Sequence, residues 1–247
     1  MTLIKDEWVH YQNQVREDDE NFLRQPSVAG TMFQGDGELF VKEYQYIEEN
    51  NPDYLSLFKS PTSYGSPLTF EIDGDTYNPN DIHHLYHICR YENSIGIIDD
   101  DLNILEWGGG YGNMCKVLHM LKKIKSYTII DLPKFNSLTE RYVSTTVPIS
   151  ASTTTHLSVE SFKGKLNDNY DLFISNWALS ESPEEWTTYL DDNSFFGCDR
   201  FLVSIHQCGD HIPFMHESTN LRNVLDNYET QEQDVSVISG INYYIFK

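Results

Sequence analysis

A glycine-rich stretch near the middle of the chain constrains the fold more than any other feature. Residues 104–113 read Ile-Leu-Glu-Trp-Gly-Gly-Gly-Tyr-Gly-Asn, an apolar run that ends in an acid and then in glycines. Such a run indicates a buried strand that breaks into a loop, with bare backbone N–H groups beside the start of a helix. The stretch therefore predicts an α/β sheet that holds a nucleotide-like ligand at this strand end.

Strand-like and helix-like runs alternate around this stretch. Asp171–Asn176 and Phe201–Ile205 are clear strand-like runs, Val147–Ser150 is a weak one, and helix-like runs separate them. This alternation predicts a mostly parallel sheet with helices on both faces. Val235–Ile238 and Ile241–Phe246 read as two strands joined by a tight turn. We therefore expect a Rossmann-like, mostly parallel seven-stranded sheet with a C-terminal antiparallel hairpin.

The first third of the chain is more polar, aromatic and irregular than the rest. It ends at Asn78-Pro79-Asn80, where an Asn cap followed by Pro predicts the start of a helix. We expect residues 1–78 to form a mainly helical cap and residues 79–247 to form the core. The aromatic residues of the cap either build its own small core, which we favour, or cover a bound acceptor. They include Phe33, Phe40, Tyr44, Tyr46, Tyr54, Phe58 and Tyr64.

Charge and cysteine content limit the partners and the compartment. The chain has 38 acidic and 17 basic residues, a formal net charge of −21, so nucleic acid and anionic membrane surfaces are poor partners. The four cysteines form no C-x-x-C pair, which is typical of reduced thiols. Since no signal-peptide pattern and no apolar stretch of membrane-spanning length occurs, we expect a cytoplasmic protein.

The spacing of the glycines excludes a dinucleotide fingerprint. Counting G-x-G-x-x-G from Gly108 places the third glycine at Asn113, whereas the loop reads E-x-G-x-G-x-G from Glu106 to Gly112. A carboxylate at the strand end suits a ligand that carries an ammonium and a sulfonium. Asp131 ends the next strand-like run, 19 residues after Gly112, close to the spacing of a ribose-binding acid. We therefore expect S-adenosylmethionine as the cofactor.

Three segments carry a family resemblance: LEWGGGYGNM, YTIIDLP and DLFISNWALSE. They resemble class I S-adenosylmethionine-dependent methyltransferases and, more narrowly, a family of sugar O-methyltransferases, over about residues 78–207. The IDLP motif also occurs in O-methyltransferases that act on phenols. The cofactor-binding residues expected on this basis are Glu106, Gly108, Gly110, Tyr111, Gly112, Asp131, Leu132 and Asn176. The chain departs from the pattern at Trp107, and residues 151–156 lack an acid for the adenine amino group.

Methyl transfer to a hydroxyl requires a general base at the carboxyl ends of the strands. His206 directly follows a strand-like run and is our first candidate, since its ordinary pKa lies near neutrality. Glu181 is the second, although an acid there equally suits the first turn of a helix. An apolar wall and hydroxyl-binding groups for the substrate are expected from Trp177, Ser180, Gln207 and His211.

Two other groups of side chains have less specific patterns. His206, His211, Asp210 and Glu181 match no known ligand spacing, so a divalent metal is an alternative that we do not favour. On the helix after residue 78, His83 and His87 share one face, next to His84, and a packed or solvated helix face is the better interpretation. For Arg90, we favour a surface ion pair over a contact to the cofactor carboxylate.

The sequence thus predicts an S-adenosylmethionine-dependent O-methyltransferase that acts on a small, sugar-like hydroxyl compound. Two other classes stay open. A polyamine synthase uses a similar glycine loop for aminopropyl transfer, but carries Asp where this chain has Tyr111. A non-catalytic binding module could keep the fold without the chemistry. The sequence does not decide whether the protein forms a homo-oligomer.

Overall fold

The computed structural model describes residues 4–16, 19–30, 32, 37–147, 153–167, 169–206, 219–234 and 242–247. Its strands are β1 (Phe70–Ile72), β2 (Asp75–Tyr77), β3 (Asn103–Trp107), β4 (Ser126–Asp131), β5 (Thr154–Ser158), β6 (Leu172–Asn176), β7 (Arg200–His206), β8 (Gln231–Asp234) and β9 (Asn242–Phe246). Its helices are α1 (Asp6–Gln14), α2 (Pro26–Ala29), α3 (Gly37–Asn50), α4 (Pro52–Leu55), α5 (Pro79–Ser94), α6 (Asn113–Leu121), α7 (Pro133–Thr146), α8 (Ala178–Glu181), α9 (Glu184–Asp192) and α10 (Thr219–Asp226). Two short 3-10 helices cover Phe22–Arg24 and Ser194–Gly197.

Seven strands form one sheet in the order β5-β4-β3-β6-β7-β9-β8. β3 to β7 pair in parallel, whereas β9 lies antiparallel between β7 and β8. The predicted mostly parallel seven-stranded sheet with antiparallel C-terminal strands is confirmed. The chain turns back at β3, because β4 and β5 extend to one side of it and β6 and β7 to the other. Such a switch point opens a crevice at the carboxyl ends of the two central strands.

Buried apolar residues explain most of the parallel strands. In β6, Leu172, Phe173 and Ile174 are fully buried, as expected for a strand covered on both faces. The third parallel strand differs from the prediction. β5 covers Thr154–Ser158, while Val147 follows α7 and residues 148–150 lie outside the described residues. The Thr-rich β5 is an edge strand with no fully buried residue, so it lacks the apolar run that marks the others.

The C-terminal hairpin also begins earlier than predicted. Its first strand, β8, covers Gln231–Asp234, and the predicted run Val235–Ile238 lies outside the described residues. β8 contains no apolar residue. As the outer strand of the sheet it pairs on one side only, with β9, so an apolar pattern was not required to place it.

The N-terminal region packs its aromatic residues mostly against one another and on the core. Phe40 stacks on Phe70 with ring centroids 5.0 Å apart, and Tyr44 meets Tyr77 edge-on at 5.3 Å. The predicted start of α5 is confirmed, since the Asn78 side chain accepts a hydrogen bond from the Asn80 N–H at 2.8 Å. One contiguous hydrophobic cluster runs through both regions, and the domain boundary at residue 78 stays a prediction. In the part of the chain that the structure describes, every helix is too short or too polar to cross a bilayer.

Candidate active site

A cavity of about 470 Å³ opens at the carboxyl ends of β3, β4 and β6. Most of its walls come from the strand ends and the loops and helices after them, the first turns of α5, and the N-terminal segment through α1, with Gly30 and Met32 added after α2. The residues from α1 and the segment before it are Ile4, Lys5, Trp8 and Tyr11. The cavity therefore lies at the switch point of the sheet, covered by the cap.

The glycine loop between β3 and α6 requires glycine for conformational reasons. Gly108, Gly110 and Gly112 have φ angles of +77°, +59° and +92°, which side chains disfavour. A Cβ on Gly108 would lie 2.0 Å from the Ala178 Cβ, and one on Gly110 would lie 3.1 Å from the Met32 sulfur. The loop can pass this close to α8 and the cap only with bare backbone.

Glu106, at the end of β3, is a buried carboxylate that lines the cavity. Its Oε2 accepts a hydrogen bond from the Tyr127 hydroxyl at 2.9 Å. Burial raises the pKa of Glu106 to about 8, and the nearby Asp131 raises it further, while the Tyr127 hydroxyl lowers it. A cation in the cavity would relieve this cost, so the site favours a positively charged ligand group.

Asp131, at the end of β4, is tied to the glycine loop. Its Oδ2 accepts from the Gly110 N–H at 2.7 Å, and its Oδ1 accepts from the Leu132 N–H at 2.6 Å. Burial raises the pKa of Asp131 to about 7, against the lowering effect of these two N–H groups. The carboxylate also lines the cavity, so it can accept further hydrogen bonds from a ligand there.

Apolar and aromatic side chains line another part of the cavity: Leu132, Phe135, Val159, Trp107 and Trp186. The Trp107 indole donates to the Ser182 hydroxyl at 3.0 Å, and its ring lies 5.3 Å from that of Trp186. The departure at Trp107 therefore contributes a cavity wall. β5 ends at Ser158, so a side chain that contacts the adenine amino group would come from Val159 onward and not from residues 151–156. Glu160, the next residue, is exposed and does not line the cavity.

A chain of hydrogen bonds lies beside the ends of β6 and β7. The His83 Nδ1 is 2.6 Å from the Glu43 Oε1, and its Nε2 is 3.1 Å from the His87 Nε2. The His87 Nδ1 is 3.1 Å from the Ser204 hydroxyl, which donates to the Asn176 Oδ1 at 3.1 Å. Burial lowers the pKa of His87 well below its ordinary value, so this imidazole is neutral. His83 and Asn176 line the cavity, whereas the Glu43 side chain is completely buried.

A second set of polar contacts holds the glycine loop against α5. The His84 Nδ1 is 3.1 Å from the Asn113 amide nitrogen, and the Asn80 amide donates to the Tyr111 hydroxyl at 2.6 Å. The Asn80 Oδ1 and the Asn176 Nδ2 are buried without a hydrogen-bond partner among the described residues. Both residues line the cavity, and such atoms generally find a partner, so they mark places for polar groups of a ligand.

Seven of the eight predicted cofactor residues line this cavity: Glu106, Gly108, Gly110, Tyr111, Asp131, Leu132 and Asn176. Gly112 does not. It caps α6, and a Cβ there would lie 2.7 Å from side-chain atoms of Thr139 and Val143. Its glycine is required by the packing of the loop on α7 rather than by the cavity.

The predicted catalytic and substrate-binding residues are placed less uniformly. Glu181 and Trp177 line the cavity, and the Glu181 carboxylate acts on Lys5, whose pKa is lowered by burial and raised by this charge. Ser180 donates to the Trp177 carbonyl at 2.6 Å and does not line the cavity, so it supports the loop. His206 ends β7, but its side chain, like Gln207 and His211, lies outside the described residues.

The two remaining predictions concern Arg90 and a metal. Arg90 is half-buried and not on the surface as expected: it donates to the Tyr86 hydroxyl at 2.8 Å and lies over the rings of Tyr46 and Tyr244. Among the described residues, which exclude Asp210 and His211, no group of three or more His, Cys, Asp or Glu could hold a metal ion.

Sequence reasoning missed Glu43 and His83 as residues of the site. A partial signal existed, because Glu43 falls on the same helix face as Phe40 and Ile47, where an acid is out of place. The pairing itself spans 40 residues and arises only when α3 packs on α5. No local motif could have supplied it.

Comparisons with known proteins find distant structural similarities. No family model and no curated protein sequence matches the chain. A SAM-dependent methyltransferase from Aquifex aeolicus is 13% identical with a TM-score of 0.48, covering 83% of this chain and 96% of its own. Fibrillarin from Aeropyrum pernix with bound S-adenosyl-L-methionine is 12% identical with a TM-score of 0.48, covering 77% and 86%. The mitomycin 7-O-methyltransferase MmcR is 12% identical with a TM-score of 0.44, covering 59% and 48%.

Two of these three structures are named as methyltransferases, and two are described with S-adenosylmethionine. At these identities and TM-scores, the likeness does not decide the activity or substrate of this chain. The fold rests on its own strand order, and the function has to be argued from the cavity.

Proposed function

We propose that this protein is an S-adenosylmethionine-dependent methyltransferase that transfers a methyl group to a hydroxyl of a small, sugar-like molecule. The observation that carries the proposal is one cavity in which the glycine loop lies between two carboxylates, the buried Glu106 and the half-buried Asp131. Both carboxyls have pKa values raised by burial, to about 8 and about 7. A cationic ligand offsets that cost, whereas the pyrophosphate of a dinucleotide would increase it.

The residues present fit the parts of this cofactor. Glu106 can pair with the ammonium of its methionine part, and the Asp131 carboxylate can accept hydrogen bonds from the ribose diol. Leu132, Phe135 and Val159 offer an apolar surface for the adenine ring. When bound, the cofactor supplies a methyl carbon activated by its sulfonium. The protein then has to orient an acceptor oxygen toward that carbon and receive its proton.

The rest of the cavity suits a polyhydroxylated acceptor. Trp8, Tyr11 and Trp177 provide aromatic faces, and Glu181 and the unpaired amide nitrogen of Asn176 provide groups for hydroxyls. Aromatic rings bind the apolar faces of sugars, while a few polar groups fix the orientation. Among the predicted bases, His206 and Glu181 stay candidates. A location in the cytoplasm also belongs to this proposal.

Calorimetry with S-adenosylmethionine tests the first half of the proposal. We expect saturable binding to the wild-type protein and strongly weakened binding to a Glu106→Gln/Asp131→Asn double variant. A Glu184→Gln/Asp192→Asn variant keeps the same change in charge on α9, outside the cavity, and should bind as the wild type does. Absence of binding to the wild type would overturn the proposal.

A mass-spectrometric screen of methyl glycosides and simple phenols with S-adenosylmethionine tests the second half. We expect one acceptor class to gain a single methyl group, together with formation of S-adenosylhomocysteine. Methylation of phenols but not glycosides would replace the acceptor class. Formation of 5′-methylthioadenosine from the decarboxylated cofactor and a polyamine would indicate aminopropyl transfer. Binding without any transfer would favour a non-catalytic module.

A further inference from the structure

We propose that His83, held by the buried carboxylate of Glu43, is the general base that takes the proton from the acceptor hydroxyl. The inference rests on the proposed methyl transfer and adds a catalytic residue from α5 and a positioning residue from α3. His83 lines the cavity, and its ring lies parallel to that of Trp177, at 5.3 Å and with an interplanar angle of 3°. It therefore borders the part of the cavity that the acceptor would occupy.

The other described histidine in the cavity wall, His84, cannot take this role in the same way. Burial lowers its pKa well below the ordinary value, so its ring is neutral. Its Nδ1 accepts from the Asn113 amide, and therefore its single proton lies on Nε2. That nitrogen is a donor. His83 differs because a carboxylate fixes its Nδ1.

The Glu43 carboxylate gives His83 the features of a base. Its Oε1 lies 2.6 Å from the His83 Nδ1, which is a short, charge-assisted distance. A carboxylate on Nδ1 holds the proton there, leaves the lone pair on Nε2, and stabilises the imidazolium that forms. Neither side chain is more than 1% exposed, so the pair is shielded from solvent. In this environment the electrostatic support is strong.

The hydrogen-bond chain beyond His83 can accept either protonation state. In the first arrangement, Ser204 donates to the Asn176 oxygen and accepts from the His87 Nδ1–H. The His87 Nε2 then carries no proton and accepts from the His83 Nε2–H. The pair of His83 and Glu43 then holds one extra proton. With the Asn176 amide turned by 180°, every bond along the chain reverses, and His83 accepts on Nε2 as a neutral base. Amide orientation is fixed only by such partners.

These two arrangements differ by one proton and satisfy the same buried groups. Each leaves a single amide atom of Asn176 for a ligand in the cavity. A proton gained by His83 is therefore accommodated by reversing the chain, without adding to the unpaired buried groups of the described residues, which already include the Glu43 Oε2. Such an unpaired group would cost about 1–3 kcal/mol. This property distinguishes the chain from a merely structural buried histidine.

The chemical step balances with these groups. The acceptor hydroxyl enters between the two imidazoles, where it accepts from the His87 Nε2–H and donates to the His83 Nε2. Its O–H bond breaks as the new N–H bond forms on His83. The acceptor oxygen bonds to the methyl carbon while the carbon–sulfur bond breaks, with its electron pair going to sulfur. The products are a methyl ether, S-adenosylhomocysteine and an imidazolium paired with the Glu43 carboxylate. The extra proton leaves to solvent when the products depart.

The groups around the pair do not titrate in its place. His84 and His87 on α5 are kept neutral because burial lowers their pKa values, and burial raises the pKa of Tyr244 on β9 well above its ordinary value. The Arg90 guanidinium lies over the Tyr244 ring, and Lys5 and Glu181 line the cavity wall.

Nuclear magnetic resonance of the ligand-free protein, labelled with ¹⁵N in histidine, tests the pair without requiring turnover. We expect one imidazole proton far downfield, bonded to Nδ1, that is lost in Glu43→Gln and His83→Gln and kept in His119→Gln. His119 lies on α6 outside the cavity and bonds to the Cys115 carbonyl. A His83 that carries its only proton on Nε2 throughout the accessible pH range would overturn the proposal.

Kinetics with an acceptor found in the screen of glycosides and phenols tests the role. His83→Gln should lower kcat by roughly 10²- to 10⁴-fold and leave S-adenosylmethionine affinity unchanged. Glu43→Gln should lower kcat by roughly tenfold, and Glu43→Asp, which keeps a carboxylate, should recover part of the rate. Glu48→Gln, on the exposed face of the same helix, is the control.

The outcomes separate the two proposals. If the wild type transfers methyl groups and His83→Gln is as fast, the base assignment is wrong while the transferase stands, and His206→Asn or Glu181→Gln should carry the loss instead. If the wild type binds the cofactor and methylates nothing, the transferase proposal fails and the base falls with it.

Discussion

The two walls of the cavity differ in how the chain builds them. The wall at the sheet edge comes from a short stretch: Glu106, the glycine loop and Asp131 follow one another along β3 and β4. The facing wall brings together His83 from α5, which contacts the buried Glu43 of α3, and the N-terminal segment through α1. The first wall is encoded as a local motif, whereas the second exists only once distant helices pack. Variants of the first should disturb the backbone and cofactor affinity, and variants of the second should disturb proton transfer or the rate of ligand release.

The largest effect is expected from a methyl group added to the glycine loop. Gly108→Ala should destabilise the protein by about 2–5 kcal/mol, from the positive φ and the clash with Ala178. Gly74→Ala is the matched control, because its φ of +84° is similar and no atom lies within 4 Å. It should cost only about 1–2 kcal/mol. Urea unfolding measures both, and equal losses would show that space at position 108 is not limiting.

The next effect concerns the carboxylate that joins the loop to β4. Asp131→Asn leaves either the Gly110 N–H or the Leu132 N–H facing an amide NH₂, and it removes a charged acceptor for the ligand. S-adenosylmethionine affinity should fall roughly 10- to 100-fold, the usual worth of a hydrogen bond to a charged group. Calorimetry against Glu160→Gln, an exposed acid after β5, measures the loss. Unchanged affinity would separate Asp131 from cofactor binding.

The stability of the protein should depend on pH through Glu106, which lies in the cavity wall at the sheet edge. The pKa of Glu106 is raised from an ordinary 4.5 to about 8, so the folded protein keeps a proton that the unfolded chain loses. Stability should therefore fall as pH rises from about 4.5 to about 8, and Glu106→Gln should flatten this slope.

Binding of a cation reverses the proton balance at Glu106. Cofactor binding at pH 7 should release up to about one proton from this carboxyl, because the cation favours its ionised form. Calorimetry in two buffers of different ionisation enthalpy measures the release, and the release should shrink in Glu106→Gln. Proton uptake instead would contradict a cationic ligand group at Glu106.

The smallest effect is expected at the cap. Trp8 lines the cavity and meets Phe135 edge-on, with ring centroids 6.2 Å apart. Trp8→Ala should weaken S-adenosylmethionine binding by about fivefold, equivalent to about 1 kcal/mol, mainly by faster dissociation. Asn13→Ala, on the exposed side of the same helix, should leave the dissociation rate unchanged. Stopped-flow displacement by S-adenosylhomocysteine measures both rates.

Most of the core fold was predictable because its central strands carry their own pattern. Residues 104–107 are buried and, apart from Glu106, apolar, Leu172–Ile174 are buried and apolar throughout, and each run marks a parallel strand. β5 and β8 were misplaced because they lie at the sheet edges, where Thr and Gln suffice. A strand that is buried on both faces requires an apolar run, which can be recognised in the sequence, whereas an edge strand does not require one.

The residues of the site that lie close to one another in the sequence were predictable, and those that meet only through helix packing were not. Glu106, Gly108 and Asp131 were identified because strand ends and glycines have fixed spacings. Glu43 and His83 were missed because each reads as an ordinary helical residue, and their 2.6 Å contact depends on how two helices cross. An acid on an apolar helix face, paired with a histidine on another, is the pattern that would have found them.

The cover formed by the first described residues ties ligand exchange to local folding. Ile4, Lys5, Trp8 and Tyr11 contribute to the cavity wall, and α1 is held mainly by contacts with α2 and α7. A helix of nine residues has little stability of its own. The residence time of whatever fills the cavity therefore depends on how often this one helix frays. Amide hydrogen exchange in α1 would report that frequency directly, and a bound ligand should slow it.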